Sequence, residues 1–529
     1  MIITKNPIMK KLPIGISTLE KIRNENFVYI DKTQHVVRLF SAGKYYFLSR
    51  PRRFGKSLLV DTLKQAFLGC KDLFVGLYLE NNWDWDKKYP VIHFDFGASS
   101  TINSQAVLSE IIWSTLREFA KQYQVALEED LSYGIAFQQL IRAIHAKHQQ
   151  QVVVLIDEYD KPILDNIVDQ AAAIIMRESL KSLYSVIKTN DAHLKFVLLT
   201  GVSKFSKVSL FSGLNNLQDI SLTSHYADIC GYTQSELEIE FAEYLAAGKV
   251  DKALLKRWYN GYNFAGSEEQ KVYNPFDILL FLGNDYQYRS YWFETATPTF
   301  LIRLIEKNHY FIPELEELLV ADTTLSSFDV EEIPIETLLF QTGYLTIKEI
   351  TTIGTQYAYI LTYPNLEVKA SLNGALAEIA TNSQTRNRTM GRLAKLLLSG
   401  DLAQLQTVLF SHFASIPHDW YRNNNIANYE GFYASIIYSL LCALGYDLIA
   451  EDVTNYGKID LTLRMPDKII ILEFKLTKYG SAAEAIDQIK TRNYAAKYLS
   501  SGKPICLLGI SFDETIRNIA EVISEEFKL

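Results

Sequence analysis

The sequence predicts an α/β protein: a parallel-sheet domain first, a mostly helical middle region carrying a strand hairpin, and a small C-terminal α/β domain. Three observations lead there. Up to about residue 230, apolar runs of strand length alternate with amphipathic stretches of helix length, the signature of a parallel sheet covered by helices. From 233 the pattern turns helical and ends in two paired strand patterns. From about residue 395 it reads helix, two strands around a tight turn, helix and strand. With 529 residues the chain is too long for one ordinary core. These changes of pattern place domain boundaries at 1–232, 233–394 and 395–529. No internal repeat, low-complexity tract or long linker interrupts them.

Each element has its own warrant. KYYFL (44–48), YPVIHFDF (89–96), QVVVLID (151–157) and LKFVLLTG (194–201) are apolar and β-branched enough to be buried strands. SLLVDTLKQAFL and SLKSLYSVIKT are helices between them. In the middle region TQSELEIEFAEYLAAG, PFDILLFLG and TPTFLIRLIEKN read as helices, and GYLTIKEI with TQYAYILTYP as a hairpin, giving a winged-helix-like order. Near the C-terminus, YEGFYASIIYSLLCALG places Tyr429, Phe432, Tyr433, Ile436, Ile437, Leu440 and Leu441 on one side of a helix. KIDLTLR and IIILEFK flank MPDK, whose Pro and Asp mark a turn.

Composition narrows the function classes. The chain is 48% hydrophobic and 22% charged, as globular proteins are. Its net charge of −8 and pI of about 5.7 exclude a globally basic nucleic-acid binder, so any such surface is local. Cys70, Cys230, Cys442 and Cys506 are too dispersed for a zinc knuckle or a disulfide framework. No signal-peptide core opens the sequence, and the longest apolar stretch, near Ile436 to Leu444, is too short to span a membrane. The expectation is a cytoplasmic protein with no membrane partner.

Two constellations carry chemistry. In the first, RPRRFGKS (50–57) lies between a strand and a helix. A phosphate-binding loop needs backbone amides around the phosphates, a lysine on the outer ones and a hydroxyl on Mg²⁺, all at a helix N-terminus. Gly55, Lys56 and Ser57 fit. Arg50 stands where the P-loop pattern asks for glycine. Arg50 and Arg53 are candidate phosphate contacts, and with Arg52 they add positive charge to the loop. About one hundred residues later, QVVVLIDEYD has the form of a Walker B strand. There Asp157 would hold the Mg²⁺ shell and Glu158 would polarise the attacking water. Thr200, ending a further strand, is placed to sense the γ-phosphate.

The second constellation is the C-terminal hairpin. A hairpin symmetric about Pro466 and Asp467 sets Asp460 directly opposite Glu473, with Cβ atoms about 4.5–5.5 Å apart. Lys475 is two residues on and shares the face of Glu473. Two carboxylates to hold Mg²⁺ and a lysine to orient water are the parts for metal-assisted phosphodiester hydrolysis. Glu430, opening the amphipathic helix, is a candidate third acid, and Gln488 on the downstream helix is placed to face the site.

IDKT (30–33), RPRRFGKS (50–57), VLIDEYDKP (154–162), TGVSKFSKVSLFSGLNNLQDIS (200–221), WYNGYNF (258–264), VYNPFDIL (272–279) and TYPNLEV (362–368) together resemble the bacterial AAA-ATPase-like family. GKID, LEFK and QIKTRNYAAKY resemble the PD-(D/E)XK nuclease domain that commonly follows it. The family carries the RPRRFGK form, so Arg50 reads as a family variant of a working loop. The resemblance implies a STAND/AAA-type ATPase with Lys56, Ser57, Asp157 and Glu158 in the usual roles. It also implies a restriction-endonuclease-like core with Asp460, Glu473 and Lys475 as active site, although Ile459 stands where that motif has Pro. The implied cofactors are ATP and Mg²⁺, and the implied partner is nucleic acid, with DNA expected over RNA. Assembly into a homo-oligomer is left open. The rival expectation is an ATP-bound switch or scaffold that binds nucleic acid without cutting it.

Overall fold

The computed structural model describes residues 9–99, 101–205, 216–296, 301, 305, 311–326, 328–379, 383–400, 402–416 and 430–528. Most of the expected TPTFLIRLIEKN helix, the 206–215 part of the family motif and Tyr429 lie outside them. The chain forms two compact units, one of Met1–Ala296 with Leu319–Asn365, the other of Thr297–Leu318 with Leu366–Leu529.

In the first unit the four expected strands form: β1 (Tyr45–Ser49), β2 (Val91–Asp95), β3 (Val152–Asp157) and β4 (Leu194–Gly201). With a short β5 (Gln218–Asp219) they make one parallel sheet in the order β2-β3-β4-β1-β5. Every residue of β1 and β3 is buried, which is why both read as unbroken apolar runs. The crossovers run through α1 (Lys56–Leu68), α2 (Gln105–Gln122), α3 (Tyr133–His148) and α4 (Gln170–Thr189). Because β4 inserts between β1 and β3, the end of β4 lies beside the acids that follow β3. Helices then follow, three of them started by a side-chain cap. Thr233 and Glu236 form a reciprocal capping box on α5 (Gln234–Glu240), Asp251 caps α6 (Lys252–Tyr259), and Asn274 caps α7 (Pro275–Gly283). Their apolar faces, including Phe241, Tyr259 and Phe281, close around Val28 and Ile30. The expected hairpin is present as antiparallel β6 (Thr346–Ile353) and β7 (Gln356–Thr362).

The second unit carries a mixed sheet. Helix α8 (Glu430–Ala443) leads into β8 (Asp447–Thr454), β9 (Gly457–Arg464) and β10 (Ile469–Leu476); α9 (Ala482–Thr491) then crosses to β11 (Ile505–Asp513), followed by β12 (Asn518–Glu526). The strands lie in sequence order, all neighbours antiparallel except β10 and β11. A parallel pair needs a crossover, and α9 supplies it. One sheet face packs Phe474 and Phe512 against Tyr433 of α8, with Tyr433 and Phe512 stacked at 4.6 Å. The other packs Ile469 and Ile471 against Ile486 and Ile489 of α9. Among the described residues no helix is long and apolar enough to cross a membrane.

Candidate functional site

The first unit holds the loop site. β1 ends at Ser49 and the chain turns through residues 50–55 into α1. Gly55 caps that helix at φ +92°, a left-handed conformation open to glycine at no steric cost. A cavity of about 640 Å³ opens over this helix start, and Arg53, Gly55, Lys56, Ser57 and Glu158 line it. Lys56 is buried and donates to the loop's own carbonyls, Arg50 at 2.9 Å and Pro51 at 3.0 Å. Burial pulls its ammonium pKa down, against the opposing pull of Asp157, Glu158 and Asp160. Thr200 Oγ1 donates to Asp157 Oδ1 at 2.5 Å, joining the ends of β4 and β3. Glu158 takes φ +51°, and burial raises its pKa while Lys56 opposes the rise. The guanidinium of Arg53 lies 5.0 Å from the Phe276 ring centroid, on the cavity's α7 side.

Arg50 corrects the sequence expectation. It does not line this cavity; its side chain is 1% exposed and turned the other way. Its guanidinium donates to the carbonyls of Ser49 at 2.9 Å, Ser221 at 2.7 Å and Tyr226 at 2.9 Å, and lies 4.0 Å from the Phe264 ring centroid. Burial lowers its pKa to about 10. An arginine that satisfies buried carbonyls this way is a structural tie between β1 and the 221–227 segment, and it has no donor aimed at a phosphate in the cavity.

The second unit holds the acid site. The β9–β10 pairing has the predicted register, from Arg464 with Ile469 to Leu461 with Leu472. The ladder stops one pair short of the expected Asp460–Glu473 pair. On the other side of β9, the pairing with β8 skips Asp460 at Glu451, which takes φ +46°. This irregularity frees Asp460, whose Oδ2 accepts from the Phe474 amide at 2.8 Å. The two carboxyls therefore meet through a broken ladder and not as a regular facing pair. Glu473 is 1% exposed, and Gln488 of α9 donates to its Oε2 at 2.9 Å. Its Oε1 is buried with no hydrogen-bond partner by geometry. Burial first, and then the charge of Asp460, push the Glu473 carboxyl far above the usual range. Asp460 is raised too, by burial, against lowering by the Phe474 amide, its hydrogen bond with Glu473 and the charge of Lys475. Burial and mutual repulsion thus both disfavour full ionisation of the pair, buried Glu473 with half-buried Asp460. Glu430 is half-buried and raised by burial and by Asp460, with Lys475 opposing. Gly509 pairs with Glu473 in register, and a Cβ there would lie 2.2 Å from the Ala482 carbonyl. Only glycine lets α9 come close enough for Gln488 to reach Glu473.

The family model described as "Predicted AAA-ATPase" matches residues 13–211, and that of the PD-(D/E)XK nuclease superfamily matches residues 428–522. A curated protein of Azotobacter chroococcum mcd 1, described by its place in the vnfD 5′ region, is 47% identical over 521 residues. That alignment spans 98% of this chain and 99% of the relative. The chain belongs to the AAA-ATPase-like family and carries a C-terminal PD-(D/E)XK nuclease-superfamily domain. The Aeropyrum pernix ORC1 protein, solved in complex with DNA, covers 67% of this chain and 95% of its own length at 10% identity. Its TM-score of 0.28 is too low to bear on fold or function.

The residues of this AAA-ATPase-like chain fit the groups its domains imply. The loop site offers a helix N-terminus, a buried lysine and a hydroxyl at the cavity, which suits a nucleoside triphosphate with its Mg²⁺. At the acid site, two adjacent carboxyls raised by burial, one with a buried oxygen that no donor reaches, are a donor set that a divalent cation would neutralise. Among the described residues no three His, Cys, Asp or Glu side chains form a ready metal cage. A two-carboxylate site suits Mg²⁺, which keeps several waters.

Two further acids belong to the loop site. Asp95 ends β2 in register with Asp157; the residue is exposed, but crowding of its carboxyl by the surrounding chain and the charge of Asp157 both raise its pKa. A Cβ on Gly97 would come within 2.9 Å of the Glu158 carboxyl, so glycine at 97 makes room for that acid. Asp160, raised by burial to about 6, accepts from the Ser203 amide at 2.6 Å and anchors the chain after β4. Both carried a signal, since VIHFD ends in an acid as VLID does, and DEYD holds a third acid.

Proposed function

We propose that this protein is a nucleotide-controlled nuclease, with its P-loop domain binding ATP and its C-terminal domain hydrolysing phosphodiester bonds in DNA with Mg²⁺. The observation that carries the reading is the acid pair: Asp460 and Glu473 lie together beside Lys475, burial raises both carboxyls, and no donor group reaches Oε1 of the buried Glu473. Burying two carboxyls this way is costly, and a cation-binding role accounts for the cost. Asp460 and Glu473 would hold the Mg²⁺, which when bound supplies Lewis acidity toward the phosphate. Gln488 fixes the rotamer of Glu473. Lys475 orients the attacking water and offsets negative charge on the phosphate. Glu430 lies close enough to feel Asp460 and Lys475 and serves as an auxiliary acid.

In the ATPase domain, Lys56, now on two loop carbonyls, would bind the outer phosphates of a nucleotide and Ser57 would help hold its Mg²⁺. Asp157, held by Thr200, would help hold the metal, and Glu158 would polarise water. Arg53, beside Phe276, contributes positive charge at the cavity, and Thr200 reports the γ-phosphate through Asp157. The protein acts in the cytoplasm. Incubating the full chain with supercoiled plasmid and Mg²⁺, with and without ATP, beside Glu473→Ala, tests the reading. Nicking by wild type alone, modulated by ATP, is expected. Nucleic-acid binding with no cutting under any condition would replace it with the switch reading.

A further inference from the structure

A chain of contacts crosses the acid site and ends at an exposed tyrosine on each side. On one side, Gly480 lies against Lys475: a Cβ at 480 would sit 3.3 Å from Lys475 Cδ. Its neighbour Tyr479 is 73% exposed, with Lys478 Nζ 4.8 Å from its ring centroid. On the other side, Gln488, which holds Glu473, also hydrogen-bonds Tyr494. A Cβ on Gly457 would lie 2.9 Å from the Tyr494 hydroxyl, so the β8–β9 turn rests on that tyrosine. Tyr456 in this turn is 57% exposed, and Arg492 Nη1 donates to its carbonyl at 3.2 Å. The acids between are sunk, with Glu473 fully buried and Asp460 partly so.

We propose that Tyr456 and Tyr479 are stacking platforms for unpaired bases, so that the substrate class of this site is a single strand or the unpaired part of a branched one. The proposal rests on the nuclease reading above. Its physical basis is position: the two exposed rings stand on the segments that lead into Asp460 and out of Lys475, where they offer flat faces to a strand that reaches the acids. Every nucleobase has such a face, and it is available only where the strand is unpaired. Lys478 stands over the Tyr479 ring and Arg492 holds the backbone carbonyl of Tyr456, so each segment carries a cation, which suits the alternation of base and phosphate along a strand. A recessed acid pair between two such posts also favours a backbone that bends sharply, as a single strand does more readily than a duplex.

The test is fluorescence anisotropy of the full chain with labelled 20-mers in Ca²⁺: DNA strand, RNA strand and DNA duplex of one sequence. The DNA strand should bind more tightly than the duplex. Tyr456→Ala and Tyr479→Ala should each weaken strand binding roughly tenfold. Both Phe variants should restore it, since the ring alone stacks, and duplex binding should not change. RNA bound with the same dependence would support stacking and name the second source of bases. Equal strand affinity in all forms would assign these tyrosines to a protein partner and overturn the proposal, as would a preference for duplex. A parallel Mg²⁺ cleavage series with Glu473→Ala separates the two ideas. Tyrosine-dependent binding without cutting removes the nuclease reading and keeps the platforms; Glu473-dependent cutting with tyrosine-independent binding does the reverse.

Discussion

The two sites bury acidic groups in opposite electrostatic settings. At the loop site, Asp157, Glu158 and Asp160 share their surroundings with a buried cation, Lys56, whose ammonium already has oxygen partners. At the hairpin site, Asp460 and Glu473 come together where the strand ladder breaks, with Asp460 and Lys475 both half-buried. The first site is compensated as it stands and can exchange internal partners for phosphate oxygens. The second sets two acids with raised pKa values beside a half-buried lysine, and would be completed by adding a cation. One rule, that a buried charge must be paired or neutralised, thus yields an anion site in one unit and a cation site in the other.

The largest effect expected from this contrast is on cutting. Glu473→Ala should lower Mg²⁺-dependent cleavage on the order of 10³-fold, because the metal's several kcal/mol of charge stabilisation is lost with its buried ligand. High Mn²⁺ should recover part of that. Lys475→Ala should lower the rate too, while calorimetry finds metal affinity largely intact. Cleavage by Glu473→Ala at the wild-type rate would break the comparison.

Next in size is nucleotide binding. Lys56→Ala removes the one buried cation facing the cavity acids and should weaken ATP binding roughly 10- to 100-fold in equilibrium titration. Glu158→Gln should bind ATP as wild type does and turn it over more slowly, because only the water-polarising group changes. Unaltered ATP affinity in Lys56→Ala would show that the loop site is not an anion site.

Arg50→Gly sharpens the loop side. It restores the written P-loop pattern but strips donors from the carbonyls of Ser49, Ser221 and Tyr226. The expected loss is about 3–5 kcal/mol of stability, read as a lower denaturant midpoint. Arg50→Lys should recover only part, since an ammonium cannot reproduce the planar fork.

The smallest effect is a pH-dependent one. The folded pKa of Glu473 is raised, so between the ordinary carboxylate range near pH 4 and the raised value the folded state binds more protons than the unfolded chain. Stability of the metal-free protein therefore falls as pH rises through that window. Glu473→Gln mimics the protonated form and can still donate to Asp460. In EDTA at pH 8 it should melt roughly 2–4 °C or more above wild type, and at pH 4 the gap should close. A gap that widens toward acid would mean Glu473 is held as a charged group.

Local pattern alone determined the four long strands of the first sheet, the helix after the loop and the hairpin register, but not β5, β8 or β12, which were not expected from the sequence. Apolar runs such as VVVLID have one stable use in a parallel sheet, and Pro466 with Asp467 fixes the turn on which the pairing of Leu461 with Leu472 depends. The acids, the lysines, Ser57 and Gln488 could be named because each sits at a fixed offset from such an element. Where Arg50 points was beyond the sequence, because its partners Ser221, Tyr226 and Phe264 are more than 170 residues away and nothing local says which carbonyls need donors. The same holds for Asp95, which meets Asp157 only once β2 and β3 pair, and for the break in the ladder at Asp460, which depends on Glu451 of a third strand. Local periodicity decides what forms; the long-range pairing of buried polar groups, which must all be satisfied at once, decides where each side chain turns.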